Sequence, residues 1–233
     1  MNEFCLLHRI YNEHNTRFSN ISAGQIAGKF LIDISIGSLI HHLYSACNVF
    51  KNMVVLKVRD TCIMELSRWL RDLTGAYDWE HTSAAVAELE GTKDQLQRKE
   101  MQLKSSIKQI LKCDFEQENI TSPVALPLAD CIVSAWMLDV ISKNEDEYMR
   151  NLEKMIKLLR PGGKLLLLGS LDATYYVVGG ERFHCLKCDE DFVKNALGKL
   201  GLVIDYCAVQ SRGNVSDLTD YRAAIFIVAC KEE

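Results

Sequence analysis

Short, almost uninterrupted apolar runs take turns with amphipathic helical stretches along this chain, and few architectures accept that order. Residues 30–34 (Phe-Leu-Ile-Asp-Ile), Met53–Leu56, Cys131–Ser134 and Leu165–Leu168 are apolar along nearly their whole length. Strands of that kind are covered on both faces, which is the condition of a parallel sheet. Between them, Ile63, Leu66, Leu70 and Leu73 recur at helical spacing. So do Leu96, Leu103, Ile107 and Ile110, within the charged stretch Lys93–Lys108. The stripe Tyr148, Leu152, Met155, Ile156 and Leu159 carries Lys and Glu on its other face, and Pro161-Gly162-Gly163 ends it. A further helix follows Asp189 (Phe192, Val193, Ala196, Leu197, Leu200). Strands alternating with crossover helices predict an α/β fold with a mostly parallel sheet. Leu202–Tyr206 and Ala224–Ala229, joined by the polar stretch Ser211–Asp220, predict a closing antiparallel hairpin.

The charge balance narrows the partners. Twenty-seven Lys and Arg stand against 31 Asp and Glu, a net charge of −4 with the signs interspersed. A nucleic-acid binder needs a clustered basic surface, so none is expected here. No apolar run reaches the ~18 residues of a membrane span, and Met1–Cys5 has no secretion-signal pattern. The nine cysteines are odd in number and mostly sit in apolar stretches, which predicts reduced thiols in the cytosol. Cys185-Leu-Lys-Cys188 beside His184 lacks a second ligand pair, so no metal is expected. Residues 1–25 are polar and weakly periodic, and are set apart from a single domain over residues 26–233.

In an open α/β sheet the ligand binds beyond the carboxyl ends of the strands. The first such turn reads Asp33-Ile34-Ser35-Ile36-Gly37-Ser38, with one glycine rather than a dinucleotide fingerprint. The second strand ends on Lys57, where an acid commonly meets ribose hydroxyls. The plainer reading is an ordinary strand-to-helix turn followed by a solvated lysine.

Several ordered motifs resemble the nicotinamide, phenylethanolamine and indolethylamine N-methyltransferase family. They include Leu31-Ile32-Asp33-Ile34, Tyr77-Asp78-Trp79, Leu89-Glu90-Gly91 and Leu111-Lys112-Cys113-Asp114. Leu126-Pro127-Leu128-Ala129-Asp130-Cys131, Leu159-Arg160-Pro161-Gly162-Gly163, Tyr175-Tyr176-Val177-Val178-Gly179 and Phe226–Ala229 continue the series. The likeness runs from about Ile26 to the C-terminus. It implies a Rossmann-like class I methyltransferase with a seven-stranded sheet, S-adenosyl-L-methionine as cofactor, and a small amine or pyridine-type acceptor. A monomer is expected.

The resemblance also assigns residues. Asp33, Gly37, His41, Lys57, Asp114, Phe115 and Ala135 fall at cofactor positions. Asp139 and Tyr176 fall in the acceptor pocket, Asp139 to orient the nitrogen and Tyr176 to shape the wall. The departures are Ser35 for a glycine, Ser38 for a proline, His41 for a tyrosine, Lys57 for the ribose aspartate, Cys62 for an asparagine, and Ala135 for a threonine. Gly169, Ala173 and Cys185 replace the groups that hold a carboxamide, Trp136 replaces a leucine, and Tyr11 is the one tyrosine ahead of the first strand. The implied chemistry is direct displacement of a sulfonium methyl by a neutral nitrogen, which depends mainly on proximity and orientation. The alternative is a fold-retaining pseudoenzyme or interaction protein with a degraded cofactor site. On this reading Lys57 is partly solvated beside the ribose, and Lys57→Asp strengthens cofactor binding without disturbing the fold. For Asp139 the competing reading is a helix cap, and for Tyr175-Tyr176 ordinary packing.

Overall fold

The computed structural model describes residues 26–89, 91, 96–213 and 217–232. Residues 1–25, including Tyr11 and Cys5, and the first part of the Lys93–Lys108 run lie outside them. The strands are β1 (Phe30–Asp33), β2 (Asn52–Lys57), β3 (Ile107–Lys112), β4 (Ala129–Ala135), β5 (Leu159–Leu171), β6 (Tyr175–Val178), β7 (Glu181–His184), β8 (Leu202–Ser211) and β9 (Ala223–Lys231). The helices are α1 (Leu43–Ala46), α2 (Asp60–Leu70), α3 (Glu80–Leu89), α4 (Leu96–Ser106), α5 (Leu138–Ile141), α6 (Glu145–Ile156) and α7 (Glu190–Lys199).

Seven strands form one sheet in the order β3-β2-β1-β4-β5-β9-β8. The first five are mutually parallel, and β9 runs antiparallel to both β5 and β8. The four central parallel strands and the closing hairpin therefore lie where the sequence places them. Alternation along each strand feeds two cores. Ile32, Val54, Ile132, Leu165 and Leu167 face Tyr148, Leu152 and Met155 of α6 and Val193 and Leu197 of α7. Leu31, Met53, Val55, Val133 and Leu166 face Leu43, Tyr44, Leu66, Trp69 and Leu103. Both sides are apolar, which is why the strand runs read as continuous.

Local chemistry sets the helix ends on the first of these faces. Asn144 caps α6 by accepting from the N–H of Glu147 (2.9 Å), and three acids occupy its first turn. Asp189 caps α7 by accepting from the N–H of Phe192 (2.7 Å).

Two expectations need correction. The stripe ending at Ile107 and Ile110 is not one helix, because α4 stops at Ser106 and β3 begins at Ile107. Pairing of Ile107 with Met53 and of Ile110 with Val55 overrides helical periodicity at this sheet edge. Helix α6 stops at Ile156, and Leu159 and Pro161-Gly162-Gly163 already belong to β5. There the register jumps from Ala129↔Leu159 to Cys131↔Lys164, and a Cβ on Gly163 would stand 2.7 Å from Leu159 Cδ1. Tyr175-Tyr176 lies in the β6–β7 hairpin, whose turn residues Gly179 and Gly180 both have positive φ (61° and 85°). Two adjacent glycines after a strand-like run are a hairpin signal.

Candidate active site

The carboxyl ends of β1, β2 and β4 converge on Asp33, which is completely buried. Its Oδ1 accepts from the Ser35 hydroxyl (2.6 Å) and lies 2.6 Å from His42 Nε2. Its Oδ2 accepts from the Lys57 ammonium (3.2 Å). The same ammonium donates to the carbonyls of Ser35 (2.9 Å) and Leu39 (3.3 Å). Ser35 Oγ also accepts from the N–H of Ala135 (3.1 Å), joining the loop to β4. Burial alone would raise the Asp33 carboxyl, but the charges of Lys57 and His42 and the hydrogen bonds of His42 and Ser35 outweigh it and hold the group at about 2.

The solvated Lys57 expected from the sequence is thus corrected. Its side chain is 1% exposed and turned under the loop, with its three donors spent on protein oxygens. A lysine at the end of a strand reaches inward when a buried carboxylate offers it a partner. Neither Ser35 nor His42 was singled out for this network by sequence reasoning. A polar pair spaced around an apolar strand end is the signal that was there.

The other cofactor candidates lie on the loop after β1 and just beyond β3. Gly37 sits in the loop with φ 56°, and a Cβ there would meet no atom within 4 Å. His41 follows it on the same segment, and burial together with neighbouring His42 pushes its imidazole down to about 3. Asp114 is exposed just beyond β3. It accepts from the N–H of Glu116 (2.9 Å), and Cys113 N–H bonds to the Lys57 carbonyl (3.0 Å). Phe115 packs, half-buried, on the core of the α6–α7 face.

The acceptor candidates lie further along the same sheet edge. Asp139, in the first turn of α5, is buried, and its Oδ2 accepts from the Ser170 N–H (3.2 Å) and hydroxyl. The N–H of Val140 bonds to the Met137 carbonyl (3.1 Å). Burial nevertheless raises the pKa of Asp139. The helix-cap reading does not hold, because the N-cap of α5 is Met137. Ser170, which the sequence did not flag, is the group Asp139 holds. Tyr176 is brought in separately by the β6–β7 hairpin, its ring stacked on Phe183 at 5.3 Å. Trp136, at the end of β4, has a left-handed backbone (φ 55°) and lies 6.4 Å from the Tyr221 ring.

Burial pushes the Cys185 and Cys188 thiols up to about 12, so neither is a reactive thiolate. The eight described cysteines are free. Among the described residues no group of three or more His, Cys, Asp or Glu is placed to hold a metal ion, and no helix is long and apolar enough to cross a membrane. A cavity of about 420 Å³ lies beside the loop, lined by Ser38, Leu39, Glu65, Gly75, Tyr77 and Trp79. Its single charged group, Glu65, already accepts from the Tyr77 N–H (2.6 Å). The strand-end cluster, richer in polar groups, is the better candidate site.

This strand order and a buried acid ahead of the first loop define a class I methyltransferase fold. Solved structures agree on the fold. A SAM-dependent methyltransferase from Methanosarcina mazei superposes with a TM-score of 0.58 at 14% identity, covering 87% of this chain and 92% of that one. The N-methyltransferase NodS from Bradyrhizobium japonicum in complex with S-adenosyl-L-homocysteine gives 0.55 at 15% identity, covering 99% and 86%. The chain belongs to the NNMT/PNMT/TEMT family, whose sequence profile matches residues 11–232. It is 34% identical to human nicotinamide N-methyltransferase over 206 residues, 88% of this chain and 78% of the relative. It is 30% identical to mouse indolethylamine N-methyltransferase over 214 residues, 92% and 81%. Phenylethanolamine N-methyltransferase of Macaca mulatta shares 36% over 183 residues, 77% and 64%.

Proposed function

We propose that this chain transfers a methyl group from S-adenosyl-L-methionine to the nitrogen of a small amine or pyridine-type acceptor. Family membership carries the reading. The residues present fit the cofactor at two places. The loop at Gly37 leaves open space where a Cβ would stand, and Asp114 offers an exposed carboxylate beyond β3. At the end of β2 the fit differs from the family pattern, since Lys57 points away from solvent.

When bound, the cofactor supplies an electrophilic methyl on a sulfonium. The protein's part is to hold the acceptor nitrogen in line with it and to exclude water, and such positioning accounts for most of the rate. Asp33, Gly37, His41, Asp114, Phe115 and Ala135 form the cofactor side. On the acceptor side Asp139 is a positioning residue. It accepts the hydrogen bond of the Ser170 hydroxyl, leaving the lone pairs of that oxygen free to accept from the N–H of an amine acceptor while the nitrogen lone pair stays available. Tyr176 and Trp136 form aromatic walls. With Gly169, Ala173 and Cys185 in place of carboxamide-binding groups, an amine suits the site better than nicotinamide. The free thiols favour the cytosol as its location. We infer a monomer without nucleic-acid or membrane partners.

Label transfer from methyl-tritiated S-adenosyl-L-methionine to a panel of amines and pyridines tests the reading, together with a thermal-shift titration of the cofactor. A ligand that binds only the folded state raises the midpoint. No shift at millimolar cofactor would leave the fold-retaining pseudoenzyme in its place. Ser170→Ala should lower kcat/KM for the acceptor about tenfold, the worth of one hydrogen bond, while cofactor affinity stays unchanged. Unchanged acceptor kinetics would remove Ser170 from the site.

A further inference from the structure

The loop between β1 and α1 has little in its own sequence to define its shape. It carries a single glycine, Gly37, and a run of apolar residues that any turn would tolerate. Its conformation is set from underneath instead. The Lys57 ammonium bonds to two loop carbonyls, Ser35 (2.9 Å) and Leu39 (3.3 Å), one on each side of Gly37. Its third donor goes to Asp33 (3.2 Å), whose other oxygen is taken by Ser35 Oγ and His42 Nε2. Ser35, Leu39 and His42 are therefore pinned to one buried ion pair. A lysine is rarely fully buried unless paired, and removing one partner of such a pair is costly.

We propose that Lys57 is a positioning residue for the cofactor loop: it braces the backbone from Ser35 to Leu39 in its binding shape and does not touch the ligand. The proposal rests on the methyltransferase reading for the identity of the ligand alone. With no exposure and no donor left, Lys57 acts only through the loop. Its effect on affinity is preorganisation, because a loop already held in place has less order to gain on binding. The competing account is a purely structural ion pair joining β1 to β2, which would affect stability and nothing else.

Two variants of the full chain separate the accounts. Lys57→Met removes the brace and strands the Asp33 charge. The double variant Asp33→Asn/Lys57→Met removes the brace together with the buried carboxylate, and an asparagine at that position can still hydrogen-bond Ser35 and His42, so its thermal midpoint should recover most of the loss. Both are read at a temperature where circular dichroism shows them folded. The measurements are amide hydrogen exchange of residues 35–42 and calorimetric titration with S-adenosyl-L-homocysteine. The expected result is faster exchange confined to that loop, with affinity about 10- to 30-fold weaker in both variants. Wild-type loop protection in the double variant would overturn the proposal, as would full recovery of affinity. If the unaltered chain itself does not bind S-adenosyl-L-homocysteine, the methyltransferase reading falls, and loop exchange alone decides whether Lys57 is a brace.

Discussion

Lys57→Asp is expected to unfold the protein well below its normal melting temperature, and not to strengthen the hold on any ligand. The substitution puts a second carboxylate within reach of Asp33, in a site where both groups are fully buried. Removing one partner of a buried pair costs about 3–5 kcal/mol, because the remaining charge is left without compensation. For a chain of this size each kcal/mol moves the midpoint by roughly 2–4 °C. A fall of roughly 6–20 °C is therefore expected by calorimetry, with Lys57→Met, which adds no like charge, falling less. A variant as stable as the parent would show that Lys57 lies outside the core in solution. The sequence favours the opposite outcome only as long as Lys57 is taken to be solvated.

Acid should weaken the fold through the same carboxylate. Burial opposes the charge on Asp33, yet Lys57 and His42 hold its pKa at about 2 against an ordinary 3.8. A carboxyl with a lowered pKa in the folded state stabilises above its unfolded value and loses that contribution as pH falls toward the folded one. Its share is thus complete above pH 3.8 and drains away between 3.8 and about 2. At 1.36 kcal/mol per pKa unit it amounts to about 2–3 kcal/mol. Urea unfolding at pH 5.5 and pH 3 should show about 1 kcal/mol of that loss, because pH 3 lies inside the window, and Asp33→Asn should flatten this part of the profile. Asp139 has the opposite sign, since burial raises its pKa and its protonated form is the better tolerated one. A pH profile unaffected by Asp33→Asn would mean that the pair is not formed.

The order of apolar runs was enough to place the four central strands and the closing antiparallel pair. Both faces of those strands are buried, so their composition is nearly independent of detail. Edges were less legible. β3 is half-exposed, with a weak pattern of its own, and its helical spacing led the reading to one long helix. The Gly179-Gly180 turn was present in the sequence, and its meaning became plain only with strands on both sides. The site divides in the same way. Asp33 and Gly37 sit in the first strand-end turn, where position along the chain directs attention, and Asp114 is assigned by the family resemblance. Lys57 and Asp139 could not be read from position, because a long or buried polar side chain goes where its hydrogen-bond partners are. Those partners, Ser35 and Leu39 for the one and Ser170 for the other, come from elements that meet only in the folded sheet. Hydrophobic periodicity decides which segments pack, and it does so locally. Which way a buried charge turns depends on acceptors far away in the chain, and only the tertiary structure settles that.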